Sequence, residues 1–301
     1  MAGVITTGNH PKALWPGMLE FWGREYQKHP DEWSQIFNKV KGTKNYEEDT
    51  EVTGFGLATV KTEGSAIVFD SESQGPTKRY TPKVYGLGYI VTREELEDNL
   101  YEIVSKRRIS ALAFSMHQTI ETVHALIIDR STDDNFPGGD GVGLLSTAHP
   151  TLTGNQSNEL ATPADLSEAA LEDICIQVMQ AQNSRGHQIS LQTQCLITPP
   201  QLYFDASRIL ESELQNDTAN NAKNIVGGMF PKGLKVNHYF DDADAWYVLT
   251  NAPAGMKSIW RRELDLAQDN DFDTENAKAK STVRFEAGWT DWRAWYGSIG
   301  A

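Results

Sequence analysis

The sequence predicts an α+β fold, and three features carry that prediction. Residues 92–130 contain neither proline nor glycine, although the chain has 24 Gly and 12 Pro, and their apolar residues recur every three or four positions. Residues 51–91 alternate between apolar and polar residues, which is typical of β-strands. After residue 166, segments of helical period alternate with segments rich in β-branched and aromatic residues. A long helix is therefore expected within a mixed helix and sheet protein.

Residues 1–50 are predicted to form an extended arm that includes a short helix. Pro and Gly interrupt its first residues, and the stretch LEFWGREYQ that follows has helical character. The side chains of Trp15, Trp22 and Trp33 are too large and too apolar for a solvated tail. They must pack either on the body of this chain or on a neighbour, and we expect contacts with another subunit.

Residues 51–91 are predicted to form a long β-hairpin that projects from the body. Ser, Glu, Gly and Pro cluster at Ser71–Lys78, and these residue types favour turns. We therefore expect the polar tip of the hairpin at this segment. Lys78 would then lie at the tip.

The long helix is expected over residues 92–130. Thr92 and Glu95 have the spacing of a capping box at its beginning. At 1.5 Å per residue the helix would be about 55 Å long, which is more than a compact domain of this size needs. The segment 131–166 is rich in Gly, Asp, Asn, Thr and Pro, and it is predicted to be a loop between domains.

The second half of the chain is predicted to contain both helices and strands. The Pro199-Pro200 pair separates a predicted strand from a predicted helix. The predicted elements are a helix over 167–182, a strand over 188–200, a helix over 201–214, strands over 233–240 and 245–252, and aromatic-rich strands over 259–298.

Composition narrows the class of protein. The chain has 301 residues and a formal net charge of −14, so electrostatic binding of nucleic acid or anionic lipid is disfavoured as its main activity. Cys175 and Cys195 lie in apolar sequence, which excludes a disulfide framework and fits buried thiols in a reducing cytoplasm. There is no apolar run of membrane-spanning length and no signal for export.

Known catalytic and cofactor motifs are absent from the sequence. G-x-S-x-G, the P-loop and H-E-x-x-H do not occur. The glycines of Gly139–Gly143 do not have the dinucleotide-binding order, so a flexible loop is expected there. The acidic run Asp269–Glu275 lacks the Gly and the final acid of a calcium loop, and it is interpreted as a surface turn.

Histidine spacing also argues against a metal site. His117 and His124 are two helical turns apart, too far to chelate one ion from one helix face, and both are expected on the helix surface. His149 and His187 have no Cys or acid at ligand spacing. We therefore expect no catalytic residue, no cofactor and no metal, and we expect a protein that is not an enzyme.

Three stretches resemble the major capsid (head) proteins of tailed bacteriophages. They are YGLGYIVTREEL, which opens the long helix, GLKVNHYFDDADAWYVLTNAPAGM, and the terminal block with Trp260–Leu264, Val283–Phe285 and GWTDWRAWYGS. The resemblance covers essentially the whole chain, and its motifs are patterns rather than a catalytic signature. Mu-type head subunits are most similar in style.

The resemblance implies the Hong Kong ninety-seven phage fold, in which the long helix is the spine of a flat subunit. The implied parts are a 1–50 N-terminal arm, a 51–91 extended loop with the strand that enters the spine, a 92–150 peripheral domain with the spine helix, a 151–254 axial domain, and a 255–301 return to the peripheral domain.

The resemblance also implies a function. The chain would be a major capsid protein that self-assembles into hexamers and pentamers of an icosahedral head around double-stranded DNA, without sequence-specific DNA binding and without a membrane. Its partners would be other copies of itself, a separate scaffolding protein, a portal and a cement protein. It would be assembled in the cytoplasm of a host bacterium and found in the virion. An encapsulin-type compartment shell and a soluble cytoplasmic enzyme that uses acids near Asp265–Asp273 remain the alternatives.

Some members of this family form a covalent cross-link between subunits. A Lys on the extended loop joins an Asn of the neighbour with the help of a buried Glu, and Lys78 is the candidate Lys here, although neither the Asn nor the Glu can be matched. The family also includes members with a cleaved leader, which is not expected here because no long charged helix precedes the arm. The expected assembly residues are Trp15, Trp22, Trp33, Lys78, Trp289, Trp292, Arg293 and Trp295.

Overall fold

The structure is a computed structural model that describes residues 15–92, 94, 101–214, 223–270 and 276–301. Its helices and strands confirm the predicted α+β class. The helices are α1 (Trp15–Tyr26), α2 (Tyr101–Asp129), α3 (Glu168–Met179) and α4 (Tyr203–Glu211). The strands are β1 (Asn38–Lys41), β2 (Glu47–Val52), β3 (Gln74–Tyr80), β4 (Lys83–Val91), β5 (His149–Thr151), β6 (Gly154–Gln156), β7 (Thr193–Thr198), β8 (Leu234–Val236), β9 (Trp246–Thr250), β10 (Met256–Asn270), β11 (Ala277–Trp289) and β12 (Trp295–Ser298).

The long helix α2 confirms the helical period found in the sequence. Its 29 residues span about 43 Å at 1.5 Å per residue. Ile109, Met116 and Ile120 are fully buried along one stripe. The expected capping acid Glu95 lies outside the described residues, so the predicted beginning of the helix stays a prediction.

Two four-stranded sheets contain most of the strands. One has the order β1-β10-β11-β4, and every second residue of β11 is buried from Ala279 to Ala287, because one face of the sheet is covered. The other has the order β12-β9-β7-β8, with β7 and β8 parallel and the remaining pairs antiparallel. Strand β9 is buried throughout, with Trp246 and Tyr247 at the centre of this core.

The chain divides into two compact units. One is formed by the described parts of Met1–Asp31, Pro82–Val123 and Trp260–Phe285, and the other by those of Glu32–Thr81, His124–Ile259 and Glu286–Ala301. Each unit collects segments that are distant in sequence. The assignment of residues to peripheral and axial domains stays a prediction, because compactness alone does not test it.

The hairpin predicted over 51–91 is organised differently from the expectation. Strands β2 and β3 pair from Glu47↔Tyr80 to Val52↔Gln74, and the loop between them is residues 53–73. The expected tip Ser71–Lys78 is therefore partly strand β3. Strand β4 does not belong to this hairpin and pairs with β11 instead.

The second half follows the predicted order of elements. Helix α3 begins after Ser167, whose side chain accepts a hydrogen bond from the Ala170 backbone N–H at 3.2 Å. The predicted loop 131–166 contains the short hairpin β5–β6, which the sequence did not predict.

Cys175 and Cys195 are buried free thiols, as predicted, and burial raises the pKa of each to about 11. Within the described residues, no helix is long and apolar enough to cross a membrane.

Candidate assembly surfaces

The loop between β2 and β3, which we call the long loop (residues 53–73), exposes a large apolar surface. Six of its apolar side chains are more than half exposed, and those of Val60 and Phe69 are almost entirely so, at 95% and 92%. Single exposed apolar side chains are common, whereas several of them on one segment make it a candidate interaction surface. The six are Phe55, Leu57, Val60, Ile67, Val68 and Phe69.

Polar contacts hold the base of the long loop in place. The Thr53 backbone N–H donates to the Ser73 carbonyl at 3.2 Å, and the Thr53 hydroxyl donates to the same carbonyl at 3.0 Å. Asp70 accepts from the Gly56 backbone N–H at 2.7 Å and from Arg185 Nη1 at 2.8 Å. The backbone hydrogen bonds from Gly56 and Ser71, together with the Arg185 charge, lower the pKa of Asp70. The loop is thus fastened at its base while its apolar side chains face solvent.

Helix α4 contributes a second exposed apolar patch. Phe204 is 70% exposed and packs edge-on against Tyr203, with ring centroids 5.3 Å apart. Ile225, which lies just before a 3-10 turn that contacts α4, is 71% exposed. These side chains belong to the same unit as the long loop, and they offer a further surface for association.

Lys78 does not lie at the tip of the hairpin, contrary to the sequence prediction. It sits on β3 opposite Asp49, and its Nζ donates to the Pro137 carbonyl at 2.6 Å. The same Nζ lies 5.1 Å from the ring centre of Trp289, a cation–π distance. Burial lowers the pKa of Lys78, against the opposing charges of Glu286 and Asp140. Lys78 is therefore engaged within its own chain.

The tryptophans expected at subunit contacts are buried inside this chain. The structure describes the side chains of five of these tryptophans, and each is 8% exposed or less: Trp22, Trp33, Trp289, Trp292 and Trp295. Trp22 stacks on Tyr26 at 5.8 Å between ring centroids, and Trp33 stacks on His124 at 4.6 Å. Such side chains stabilise the fold and leave little surface for a neighbour to contact. The expectation that the arm's aromatics pack mainly on another subunit is thus corrected for Trp22 and Trp33. Trp15 begins α1, and its side chain lies outside the described part.

Arg293 is the polar centre of the terminal aromatic block. Only 2% of the residue is exposed, and its guanidinium lies 4.4 Å from the ring centre of Trp292. The Nε donates to the Gln182 carbonyl at 2.8 Å, and Nη2 donates to Gln156 Oε1 at 3.1 Å. Nη1 lies 3.2 Å from an Asp291 carboxylate oxygen. A buried cation with this many partners fixes local structure.

His149 is not isolated, contrary to the sequence interpretation. Its Nδ1 lies 2.6 Å from Asp140 Oδ2, and its Nε2 lies 3.0 Å from Asn158 Oδ1. The Asn158 amide also donates to the carbonyls of Leu144 and Trp295, at 2.7 and 2.8 Å. The glycine-rich segment 139–143 therefore supplies a buried partner rather than a freely flexible loop. Sequence spacing could not reveal this cluster, because Asp140 and Asn158 are each nine residues from His149.

His117 and His124 are buried rather than on the helix surface, which corrects another expectation. Their exposed fractions are 2% and 1%. His124 Nε2 lies 2.8 Å from the Ser258 hydroxyl, and its ring packs against those of Trp33 and Phe37. Both histidines face the interior because seven residues are nearly two full helical turns, so they lie on the same buried stripe of α2.

Asp129 ends α2 next to other carboxylates. Its Oδ1 accepts from the Asp241 backbone N–H at 3.2 Å. Burial raises the pKa of Asp129 from 3.8 to about 6, and the charges of Asp241 and Asp242 add to the effect. A negative charge at the carboxyl end of a helix is also opposed by the helix dipole. Ionised Asp129 is therefore unfavourable in the folded state.

Comparison with solved structures identifies the class of fold to which the chain belongs. The capsid of a native GTA particle superposes with a TM-score of 0.55 at 10% identity, covering all of this chain and 93% of that one. A chain from a structure of Mycobacterium phage Patience gives a TM-score of 0.54 at 12% identity, covering 99% of this chain and 92% of that one. A virus-like particle from Pyrococcus furiosus gives 0.52 at 12% identity, covering 94% and 98%. At these identities the likeness establishes the Hong Kong ninety-seven-type fold.

The sequence itself establishes the family. The sequence model of a family described as phage capsid protein matches residues 75–298. The chain therefore belongs to the phage capsid protein family, and the predicted family and fold are confirmed. No curated protein matches it. The style resemblance to Mu-type subunits stays a prediction.

Proposed function

We propose that this chain is a major capsid protein that assembles into hexamers and pentamers of an icosahedral head around double-stranded DNA. The observation that supports the proposal most directly is the exposed apolar surface of the long loop. Covering such a surface lowers the free energy of the chain in water. In a shell built from identical subunits, the covering partner is a neighbouring copy of the chain. In this proposal the role is structural rather than enzymatic.

The size of the apolar surface makes the proposal energetically reasonable. Covering one Leu, Val, Ile or Phe side chain is worth about 1.5–3 kcal/mol, so six of them contribute on the order of 10 kcal/mol per subunit before ordering costs. The loop is already fastened at its base by the contacts of Thr53 and Asp70. This preorganisation lowers the entropy lost on association.

The net charge of −14 supports a role in which the protein encloses DNA without binding it tightly. Phosphate backbones bind to clusters of Lys and Arg, and a chain with excess acid does not hold a genome electrostatically. We propose assembly in the cytoplasm of the bacterial host, with a separate scaffolding protein, a portal and a cement protein as further partners.

A double variant of the long loop tests the proposal. V60D/F69D places two charges on the apolar surface, while T59D adds a charge at a neighbouring polar position and serves as the control. We expect closed shells or hexamer sheets from the wild type and from T59D by negative-stain imaging and sedimentation. V60D/F69D should remain as small soluble species with a wild-type circular dichroism spectrum. Shells from the double variant, or no shells from the wild type, would contradict the proposal.

An encapsulin-type compartment shell is the second candidate function. The observation that favours this candidate is the fold match to a virus-like particle from Pyrococcus furiosus, which covers 98% of that chain. Particles isolated from cells that carry the complete phage genome distinguish the two roles. Nuclease-protected double-stranded DNA inside the particles supports a phage head, whereas particles filled with a cargo protein and no DNA support the compartment. A stable monomer or dimer that never assembles would favour the third alternative, a soluble enzyme.

A further inference from the structure

A buried cluster of one histidine and two carboxylates lies within the unit that contains α1. Helix α2 presents His117 and Glu121 one turn apart, the spacing at which two side chains can hold one ion. Asp31, from the segment that follows α1, completes the group. One ligand atom from each of the three lies within 4.8 Å of the other two.

The separations suit a metal ion better than hydrogen bonds. His117 Nε2 lies 3.5 Å from Asp31 Oδ1 and 3.6 Å from Glu121 Oε1. Hydrogen bonds of this kind are about 2.7–3.2 Å long, so both distances are too great. In a tetrahedral zinc site with bonds of about 2.1 Å, neighbouring ligand atoms are about 3.4 Å apart. The three groups are thus spaced as ligands around a common centre.

Burial of the cluster makes its negative charge and its unpaired imidazole energetically unfavourable. Glu121 is fully buried, and the side chain of His117 is 3% exposed. Neither ring nitrogen of His117 has a hydrogen-bond partner within the described residues. Burying a carboxylate or an unsatisfied imidazole is costly unless a partner compensates. A cation at the centre would give His117 Nε2 a partner and would balance the charge of the two carboxylates.

The surroundings of the cluster are negative. Burial raises the pKa of Tyr26, whose ring lies 5.6 Å from that of His117, and the charges of Asp31, Glu121 and Glu263 raise it further. The Asp31 side chain is 39% exposed, although its Oδ1 is buried, so the cluster lies just beneath the surface. Asp31 and Glu121 also take part in other polar or electrostatic interactions, which hold ligand carboxylates in orientation.

We propose that Asp31, His117 and Glu121 form a site for a divalent transition metal of the zinc class, with water as the fourth ligand. An imidazole with two carboxylates suits Zn²⁺ or Co²⁺, whereas Mg²⁺ and Ca²⁺ prefer oxygen ligands alone. The ion would tie the segment after α1 to helix α2. It would stabilise the folded chain, because it binds the folded state and finds no preformed site in the unfolded one.

A bound proton is the competing occupant of the site. Burial alone would lower the pKa of His117, but the neighbouring Asp31 and Glu121 outweigh it and raise the pKa. A protonated His117 between two carboxylates would also balance part of their negative charge. The two occupants differ in their response to added metal, which makes them separable by experiment.

The test uses the full chain, freed of metal by dialysis against a chelator, at pH 7.5. Co²⁺ is the spectroscopic probe and Zn²⁺ the thermodynamic one. We expect one Co²⁺ per chain with the intense visible absorption of a tetrahedral site, its displacement by Zn²⁺, and a melting temperature that rises with Zn²⁺ but not with Mg²⁺. Glu121→Gln, which keeps the size of the side chain, should weaken Co²⁺ binding at least about tenfold.

A control and a second variant keep the test decisive. His238→Ala removes another histidine, whose Nδ1 lies 2.7 Å from Glu32 Oε1, and should leave Co²⁺ binding unchanged. If Glu121→Gln does not fold, Asp31→Asn replaces a partly exposed ligand and should weaken binding in the same way. A wild type without tetrahedral Co²⁺ absorption, or with a melting temperature that depends on pH but not on Zn²⁺, would overturn the proposal.

Discussion

Replacing Arg293 by Ala provides a quantitative test of the packing in the terminal block. Arg293 is 2% exposed, and its guanidinium donates to Gln182 and Gln156 while facing the carboxylate of Asp291. Removing one partner of a buried, hydrogen-bonded charge typically costs about 3–5 kcal/mol, because the remaining partners stay buried without compensation. Asp291 is partly exposed and recovers some water, so we expect about 3 kcal/mol for R293A.

The assay is urea unfolding followed by tryptophan fluorescence, in the V60D/F69D background, in which we expect the subunit to stay unassembled. R208A is the matched control, because Arg208 forms an exposed helix ion pair with Asp205 at 3.0 Å. Such pairs contribute about 0.2–1 kcal/mol, so R208A should unfold almost as the parent does. We expect the midpoint of urea unfolding to be clearly lower for R293A than for the parent, and almost unchanged for R208A.

Two results would refute this reasoning. Equal midpoints for R293A and R208A would mean that the buried network around Arg293 does not stabilise the chain. Normal stability of R293A together with failed assembly in an otherwise wild-type chain would place Arg293 at a subunit contact. The second outcome is the role that the sequence alone predicted for it.

Three further predictions follow from the buried polar groups. Asp129→Asn should raise the free energy of unfolding by on the order of 1 kcal/mol at pH 8, allowing for partial solvent screening. Because the pKa of Asp129 is raised to about 6 in the folded state from 3.8, the gain should shrink as pH falls through 6 and vanish below 4. Asn158→Ala should cost about 2–4 kcal/mol by urea unfolding, because it leaves buried carbonyls and a histidine without partners. Cys175 and Cys195 should react with a thiol reagent only after denaturation, because both are buried.

Matched controls separate these effects from general damage. Asp173→Asn makes the same change at an exposed acid on α3 and is the control for the loss of a surface charge. A pH-independent gain for the Asp129 variant would contradict the raised pKa of Asp129. Asn155→Ala changes an exposed residue and should cost less than about 0.5 kcal/mol. Rapid labelling of either thiol in the native chain would show that the sheet and helix around it open readily.

Local sequence patterns predicted the helices well. The apolar period of α2 is regular over many turns, and Ser167 caps α3 with a side-chain hydrogen bond that its residue type favours. Pro199-Pro200 separates β7 from α4, as expected. These features depend on neighbouring residues in the chain, which is why a single sequence is sufficient to find them.

Long-range pairing was the source of the errors. The polar composition of Ser71–Lys78 indicated a tip, but Arg79 pairs with Glu48 across the strands and Lys78 faces Asp49, so polar residues build β3 instead. The apolar run that contains Ile67, Val68 and Phe69 was the available signal that the loop lies earlier in the sequence and is a candidate contact surface. Sequence alone could not show that it remains exposed.

The aromatic residues illustrate the same limit. A tryptophan in the sequence indicates a buried or contacting side chain, but not which surface covers it. Trp33 is covered by His124, and Trp292 by His149 at 4.2 Å between ring centroids, and both partners are distant in sequence. The expected interface tryptophans whose side chains are described are buried in this chain, and their role in assembly stays a prediction. The exposed apolar residues of the long loop are additional assembly candidates.

A density map of the assembled particle by electron cryomicroscopy tests the central claim most directly. The exposed apolar side chains of the long loop are expected to be covered by neighbouring copies of the chain. The map should show Val60 and Phe69, which are almost fully exposed in the single chain, in contact with an adjacent subunit. A closed particle in which both side chains still face solvent would contradict the account.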